Sequence, residues 1–345
     1  MNLRPPPSLR RSFSAADIDE AVRLDRILTL SLKLPVGCNL NCAYCYGSRE
    51  TGDMRSAEVL DAVRQARELG ARSVSILGEG EPLLYEADGL DLFDLIDRIN
   101  GLGLPVVLFT NNTLIDEAAA ARLLAQDTVV IAKWNSPDPR VQERLTGRAD
   151  DGRVLRGLGI LRKAGFNKTS PSRLGVHSVI VQDNERDIPG MWRMCRSENI
   201  VPYFQVFVPP PRQSANHRHA DRLSVPSERL KTLFQQLAEL DRSEYGFDWD
   251  PDSTYPIAGM GCGVIRSGCA VDGFGRVKLC GYLDHVVGDL RQEPLEAVLR
   301  KDIVRKIRRC DYQAAPGSGH FYGCRTMAFN MTGDRFAEDP MFWGK

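Results

Sequence analysis

Residues 28–45 read LTLSLKLPVGCNLNCAYC. The opening nine, LTLSLKLPV, alternate or run apolar as a β-strand does. Immediately after them, on what should be a βα loop, Cys38, Cys42 and Cys45 fall at i, i+4 and i+7 with no fourth cysteine nearby. Thiolates are soft ligands that select zinc, copper(I) or iron–sulfur clusters. A zinc site wants a further Cys or His, and the nearest histidine in sequence is His177. A [4Fe–4S] cluster on three cysteines instead leaves one iron free for a substrate or cofactor, an arrangement that serves catalysis. The competing readings are three buried apolar cysteines or an ordinary zinc knuckle. Three cysteines in one short polar loop argue against both.

The strand also starts a rhythm. Helical spacing in MRSAEVLDAVRQARELG (54–70) closes at Gly70, SVSILG (73–78) is a second strand, and LDLFDLIDRINGLG (90–103) is again a helix stopped by glycine. PVVLFTN, TVVIAKWN, LGVHSVIV and YFQVFVP continue the strands, with helical IDEAAAARLLAQ, GRVLRGLGILRKAG and DIPGMWRMCRSEN between them. Six β/α units between about 28 and 210 call for a parallel sheet covered by helices, in an α/β fold. Periodicity alone permits an open doubly wound sheet or part of a barrel. Either way, functional groups should gather at the C-terminal ends of the strands.

Before the first strand, residues 1–16 read as a flexible Pro- and Arg-rich arm, followed by a helix in DIDEAVRLDRI. The rhythm stops after the polar loop VPPPRQSANHRH (208–219), which places a boundary near 222. Beyond it lie a helix over 226–241, a Gly- and Cys-containing stretch over 256–282 with little periodicity, an amphipathic helix near 293–309 and an irregular tail. Order in such a segment often comes from a metal. Three units follow: an arm and helix (1–27), a β/α core (28–222) and a metal-ordered C-terminal part (223–345).

Composition narrows the function. The chain's 345 residues, 43% hydrophobic, suffice for one large and one smaller domain. Lys+Arg (45) and Asp+Glu (45) cancel, so no net field draws the chain to nucleic acid or an anionic membrane. No run of about 18 apolar residues marks a membrane span. The N-terminus has basic residues without an apolar stretch after them, which is not a secretory signal. A cytoplasmic location is expected, where nine cysteines, an odd count, point to metal binding or catalysis more than to disulfides.

CxxxCxxC after a first strand, with the aromatic Tyr44 before the last cysteine, resembles the signature of the radical S-adenosylmethionine (AdoMet) enzymes. The resemblance spans about 28–210 and implies a partial (β/α)6 barrel of TIM type. In that family Cys38, Cys42 and Cys45 would hold a [4Fe–4S] cluster whose free iron is chelated by AdoMet. One electron then cleaves a C–S bond, and the resulting 5′-deoxyadenosyl radical abstracts hydrogen from the substrate. LGEGEPLL (77–84), after the second strand, resembles the family's glycine-rich GGEP motif, with Glu79 in place of the second glycine. There Gly78, Glu79, Gly80 and Glu81 would approach the cofactor, glycine admitting close backbone contact and Glu81 meeting its ammonium. Asn111 in FTNNT, and Lys133, Asn135 and Ser136 in AKWNS, lie at the same rim for cofactor or substrate. Capping of the next helix is the equal alternative for each. NSPDPRVQERLTGR (135–148) also looks like a recurrent segment of the family.

Five further cysteines follow the boundary. CGVIRSGCAVDGFGRVKLC (262–280) reads as a hairpin turning at DGFG, and its Cys262, Gly275 and Cys280 resemble the opening of the auxiliary-cluster domains called SPASM and twitch. YGCRTMAFNMTGDRFAEDPMFW (322–343) resembles the end of a SPASM domain, with Tyr322 and Met341 where cysteines are common. The resemblance implies one auxiliary [4Fe–4S] cluster on Cys262, Cys280 and Cys324, with Cys310 as the fourth ligand and Cys269 as its rival. A zinc site or a metal-free domain stands against this.

The net reaction depends on the spare thiols. An auxiliary cluster can take the substrate radical's electron, giving dehydrogenation. Alternatively Cys269, Cys310 or Cys195 can return a hydrogen atom, giving epimerisation, although Cys195 reads first as a packed helical residue. Peptide-modifying members often carry a recognition domain ahead of the cluster motif, and fewer than 40 residues precede Cys38. Family members of this outline act on aminocyclitol, aminoglycoside and nucleoside-antibiotic sugars. By analogy the expected partners are such a small molecule and an electron donor of flavodoxin or ferredoxin type. Decarboxylation or dehydration of a sugar or nucleoside acid, or peptide maturation with a separate recognition partner, are the alternatives.

Overall fold

The computed structural model describes residues 3–47, 51–77, 80–149, 151–211, 214–310 and 323–343. Six parallel strands form its centre: β1 (Thr29–Lys33), β2 (Ser73–Leu77), β3 (Val106–Thr110), β4 (Val129–Lys133), β5 (Leu174–Ile180) and β6 (Val201–Val206). They lie side by side in chain order, and helices cross between them. Ser56–Glu68 shows why these segments are helices: Val59, Ala62, Val63 and Ala66 recur at helical spacing and are buried on the sheet. Asp91 opens Leu92–Gly101 by accepting from Asp94 N at 2.8 Å, while Asp94 accepts from Asp91 N. The result is the partial (β/α)6 barrel.

Three more strands, β7 (Gly268–Val271), β8 (Arg276–Lys278) and β9 (Val286–Asp289), extend the same sheet. β7 pairs in parallel with β1, and β7 to β9 then run antiparallel, giving a nine-stranded order β9-β8-β7-β1-β2-β3-β4-β5-β6. The stretch over 256–282 therefore contains a strand docked on the core, and the sheet crosses the boundary expected near 222. The turn Asp272–Gly275 is as expected: Asp272 Oδ1 accepts from Phe274 N and Arg276 N, and Gly275 has φ +84°.

Two elements depart from expectation. The N-terminal arm is docked: Leu9 pairs with Ser172 and is buried against Val129, Ile131 and Val201 at the base of the barrel, and Arg10 and Arg11 grip Asp127. Its prolines hid a single apolar plug. The helix near 293–309 is two helices, Leu295–Leu299 and Asp302–Arg308. Lys301 breaks it in an extended conformation, and its ammonium donates to Val287 O and Glu293.

Candidate active site

Parallel pairing keeps partnered residues on one face of a sheet. On the barrel interior the register aligns Lys33 with Leu77, Phe109 with Ile131, and Lys133 with His177 and Tyr203. Lys33, Phe109, Ile131, Lys133 and His177 line one cavity with Cys38, Cys42 and Cys45, which come over it from the loop after β1.

The segment 135–148 holds that loop. Asn41 N donates to Thr146 O and Ala43 N to Leu145 O, both at 2.9 Å. Gly147 at φ +70° lets the chains meet, since a Cβ there would stand 2.1 Å from Asn41 O. Tyr44 is buried beneath: its hydroxyl accepts from Asn135 Nδ2 at 2.9 Å, and Lys133 Nζ lies 4.5 Å from its ring centroid. Burial pushes the Cys42 thiol up to about 12, and raises Cys38 as well. Such thiols become thiolates only with a cation to neutralise them. Among the described residues no three Cys, His, Asp or Glu side chains converge on a single-ion position. Three soft donors lining one cavity without converging on a single-ion position suit an iron–sulfur cluster better than a zinc ion.

The glycine-rich loop reaches the same cavity through Gly80, where a Cβ would stand 2.1 Å from Val36 O. Gly78 and Glu79 lie outside the described residues. Glu81 is fully buried and turned into the protein: it accepts from Thr110 Oγ1 and Asn111 N, each at 2.7 Å, and from Leu83 N at 3.1 Å. Burial raises its carboxyl to about 7 against the pull of those donors. Glu81 thus ties the loop after β2 to the end of β3 and presents Asn111, whose Nδ2 lies 2.8 Å from Asn39 Oδ1 and 3.8 Å from Cys38 Sγ. Asn135 and Ser136 are buried one layer out. Asn135 supports Tyr44, while Ser136 donates to Asp187 at 2.5 Å and accepts from Asp138 N ahead of the next helix. His177 escaped the motif-based reading, although the alternation in LGVHSVIV could have placed it on the interior face.

A second cavity is lined by Cys262, Cys280 and Cys324. They arrive from the approach to β7, the exit of β8 and the N-terminus of helix Arg325–Thr332. Burial, and then the charge of Cys280, push Cys262 up to about 11, while burial, then Asp339 and the other two cysteines, raise Cys324. Asp339, itself buried, accepts from Cys324 N at 2.7 Å and fixes that cysteine. Three converging soft donors fit an iron–sulfur cluster by the same chemistry as the first site. Neither candidate for a fourth ligand joins them. Cys269 pairs with Leu30 on the helix-facing side of the sheet, 1% exposed and beside Arg308. Cys310 is buried after helix Asp302–Arg308, its thiol donating to Lys306 O. The resemblance had put Cys262, Cys280 and Cys324 first, with Cys310 and Cys269 as rivals for a fourth place, and neither rival lines the cavity that the three share. Cys195 is buried in helix Ile188–Ser197, and His217 is turned to Pro210 O.

A parallel half-barrel with three thiols over its C-terminal mouth is the arrangement that the cysteine motif led one to expect of a radical AdoMet protein. The family model described as the Radical SAM superfamily matches residues 32–191, a little under half of the chain, and the chemistry of that superfamily uses a [4Fe–4S] cluster and AdoMet. An AdoMet-dependent heme synthase of Methanosarcina barkeri is 24% identical over 351 residues, covering 90% of this chain and 95% of that protein. The mycofactocin maturase MftC of Mycolicibacterium smegmatis is 23% identical over 345 residues, covering 94% and 82%. Streptococcus suis SuiB bound to S-adenosylmethionine shares the fold with a TM-score of 0.69 at 16% identity, over 95% of this chain and 80% of SuiB. Among the described residues no helix is long and apolar enough to cross a membrane.

Proposed function

We propose that the chain is a radical AdoMet oxidase, removing a hydrogen atom and then a second electron from an organic substrate held in the barrel cavity. One observation carries this reading: none of the spare thiols, Cys195, Cys269 or Cys310, lines that cavity, and all three are buried. Epimerisation would need a thiol at the substrate to return hydrogen. Oxidation needs only an electron acceptor nearby, and Cys280 of the second site stands two residues before Tyr282, whose ring meets Tyr46 edge to face at 5.0 Å in the wall of the first cavity.

In this reading Cys38, Cys42 and Cys45 hold the catalytic cluster and Cys262, Cys280 and Cys324 an auxiliary one. When bound, these groups and AdoMet supply a 5′-deoxyadenosyl radical that leaves as 5′-deoxyadenosine with the substrate's hydrogen, and an acceptor for the second electron. The substrate then releases a proton or carbon dioxide. Gly80 brings main chain to AdoMet, Asn111 faces the cluster loop, and Lys133 with Tyr44 forms the cavity's cationic wall. Glu81, Asn135 and Ser136 brace these groups from behind. A flavodoxin- or ferredoxin-type donor supplies the initiating electron. Residues 28–222 form the radical core and 223–345 the auxiliary unit, sharing one sheet. All nine cysteines are free thiols, which suits a reducing cytoplasm.

Leu77, Phe109, Ile131 and Val179 line the cavity beside Tyr46 and Tyr282. Such walls favour a substrate with an apolar body over a polyhydroxylated sugar or aminocyclitol, whose hydroxyls need many buried partners. Peptide maturation with a separate recognition partner is the second reading, favoured by the match to MftC along 94% of the chain. Metabolites accumulating in a strain that lacks the protein would supply the substrate for an assay in D2O. Oxidation predicts a product lighter by two hydrogens or by the elements of formic acid, formed one-for-one with 5′-deoxyadenosine. A product of unchanged composition carrying one solvent deuterium would establish epimerisation instead.

A further inference from the structure

His177 has no task in the reaction as described. It lies on the interior face between Lys133 of β4 and Tyr203 of β6 and is 7% exposed. Its Nδ1 is 3.4 Å from Lys133 Nζ. An ammonium can only donate, so Nδ1 accepts and the ring proton sits on Nε2. That Nε2 is buried without a hydrogen-bond partner, which buried donors rarely tolerate. Phe109 and Tyr203 hold the ring edge to face, with centroids 6.0 and 5.4 Å away, so it is not free to turn towards another acceptor. Burial and then the lysine charge keep the imidazole neutral.

The cavity's charge indicates what should meet this donor. Lys33 and Lys133 both line it, and among the described residues no Asp or Glu does. A desolvated space with the Lys133 ammonium beside the imidazole selects an anion. We infer that His177 Nε2–H, backed by Lys133, is the recognition donor for a carboxylate of the substrate, which is therefore an organic acid with an apolar body. The inference rests on the oxidase reading for its substrate site. A carboxylate could also come from the methionine end of AdoMet. Gly80 and Asn111 follow β2 and β3, away from His177, while Lys133, expected for cofactor or substrate, stands beside it on β4, and the AdoMet arm of the test separates the two sources.

The test uses the full chain with its clusters reconstituted and AdoMet bound. The probes are 3-phenylpropanoate and its neutral twin 3-phenylpropanamide, followed by saturation-transfer NMR. Wild type should prefer the acid by about tenfold or more, the usual penalty for an unpaired buried polar group. His177→Phe keeps the ring bulk and should abolish the preference, while His177→Gln, which retains an N–H donor, should restore part of it. AdoMet affinity should change less than about twofold in either variant, below the tenfold that one lost hydrogen bond can cost. An unchanged preference in His177→Phe overturns the inference, as does a wild type indifferent to the charge. A loss confined to AdoMet affinity also overturns it, assigning the donor to the cofactor. Failure of the wild type to form 5′-deoxyadenosine sinks the oxidase reading, while the probe preference still judges His177.

Discussion

The two cysteine sites are assembled in opposite ways. Cys38, Cys42 and Cys45 arrive together on one loop, clamped by a neighbouring segment through Thr146 O and Leu145 O. Cys262, Cys280 and Cys324 come from three separate segments, and their meeting depends on the pairing of β7 with β1 and on the buried carboxylate of Asp339. A site built on one loop is written in residue spacing and should survive distant perturbation. A site built from tertiary contacts should be lost when one remote contact goes. The two triads line separate cavities, so each site can be disabled while the other is read.

The largest effect is expected at the first site. Cys42→Ala should eliminate 5′-deoxyadenosine formation under dithionite, measured by liquid chromatography, because two thiolates cannot replace three. Cys324→Ala should leave that cleavage in place and abolish only substrate oxidation. If Cys324→Ala stopped AdoMet cleavage as completely, the two sites would not be separable as described.

Smaller effects sharpen the contrast. In Gly80→Ala the new methyl meets Val36 O at 2.1 Å, so the loop must shift, and AdoMet affinity should fall by about tenfold or more in equilibrium dialysis. Asp339→Asn should cost about 1–3 kcal/mol in chemical denaturation, since one of the two main-chain donors it serves, Cys324 N or Met341 N, loses its acceptor. It should lower auxiliary iron while sparing AdoMet cleavage.

The smallest expected effect is on pH dependence. Burial raises Glu81 from 4.5 to about 7 in the folded apo-protein, so the folded state keeps a proton that the unfolded chain has released. The stability of the apo-protein should therefore fall as pH rises from about 4.5 to about 7 and level off above. Subtracting the Glu81→Gln melting curve isolates this dependence. A difference independent of pH would mean that the three hydrogen bonds just offset burial, and one that rises with pH would mean that they outweigh it.

The same contrast explains what was legible in the sequence. The six β/α units and the first triad were, because strand alternation, helix spacing and CxxxCxxC are all local patterns. Residues 268–271 were legible as one arm of the hairpin turning at DGFG but not as a partner of β1, on whose edge GCAV docks. Cys269 stood as the rival of Cys310 for a fourth ligand, and its register opposite Leu30 turns it to the helix side. Asn135 and Ser136 read as rim groups, yet burial gives them a supporting part. His177 lacked a motif altogether and becomes conspicuous once its neighbours on β4 and β6 are known.

Iron content tests the central claim most directly. Anaerobically reconstituted wild type should hold ~8 Fe per chain, and Cys42→Ala and Cys324→Ala ~4 each, with Cys269→Ala and Cys310→Ala unchanged from wild type. A wild type holding ~4 Fe, or a Cys310→Ala variant that loses ~4, would contradict the assignment of one cluster to each triad.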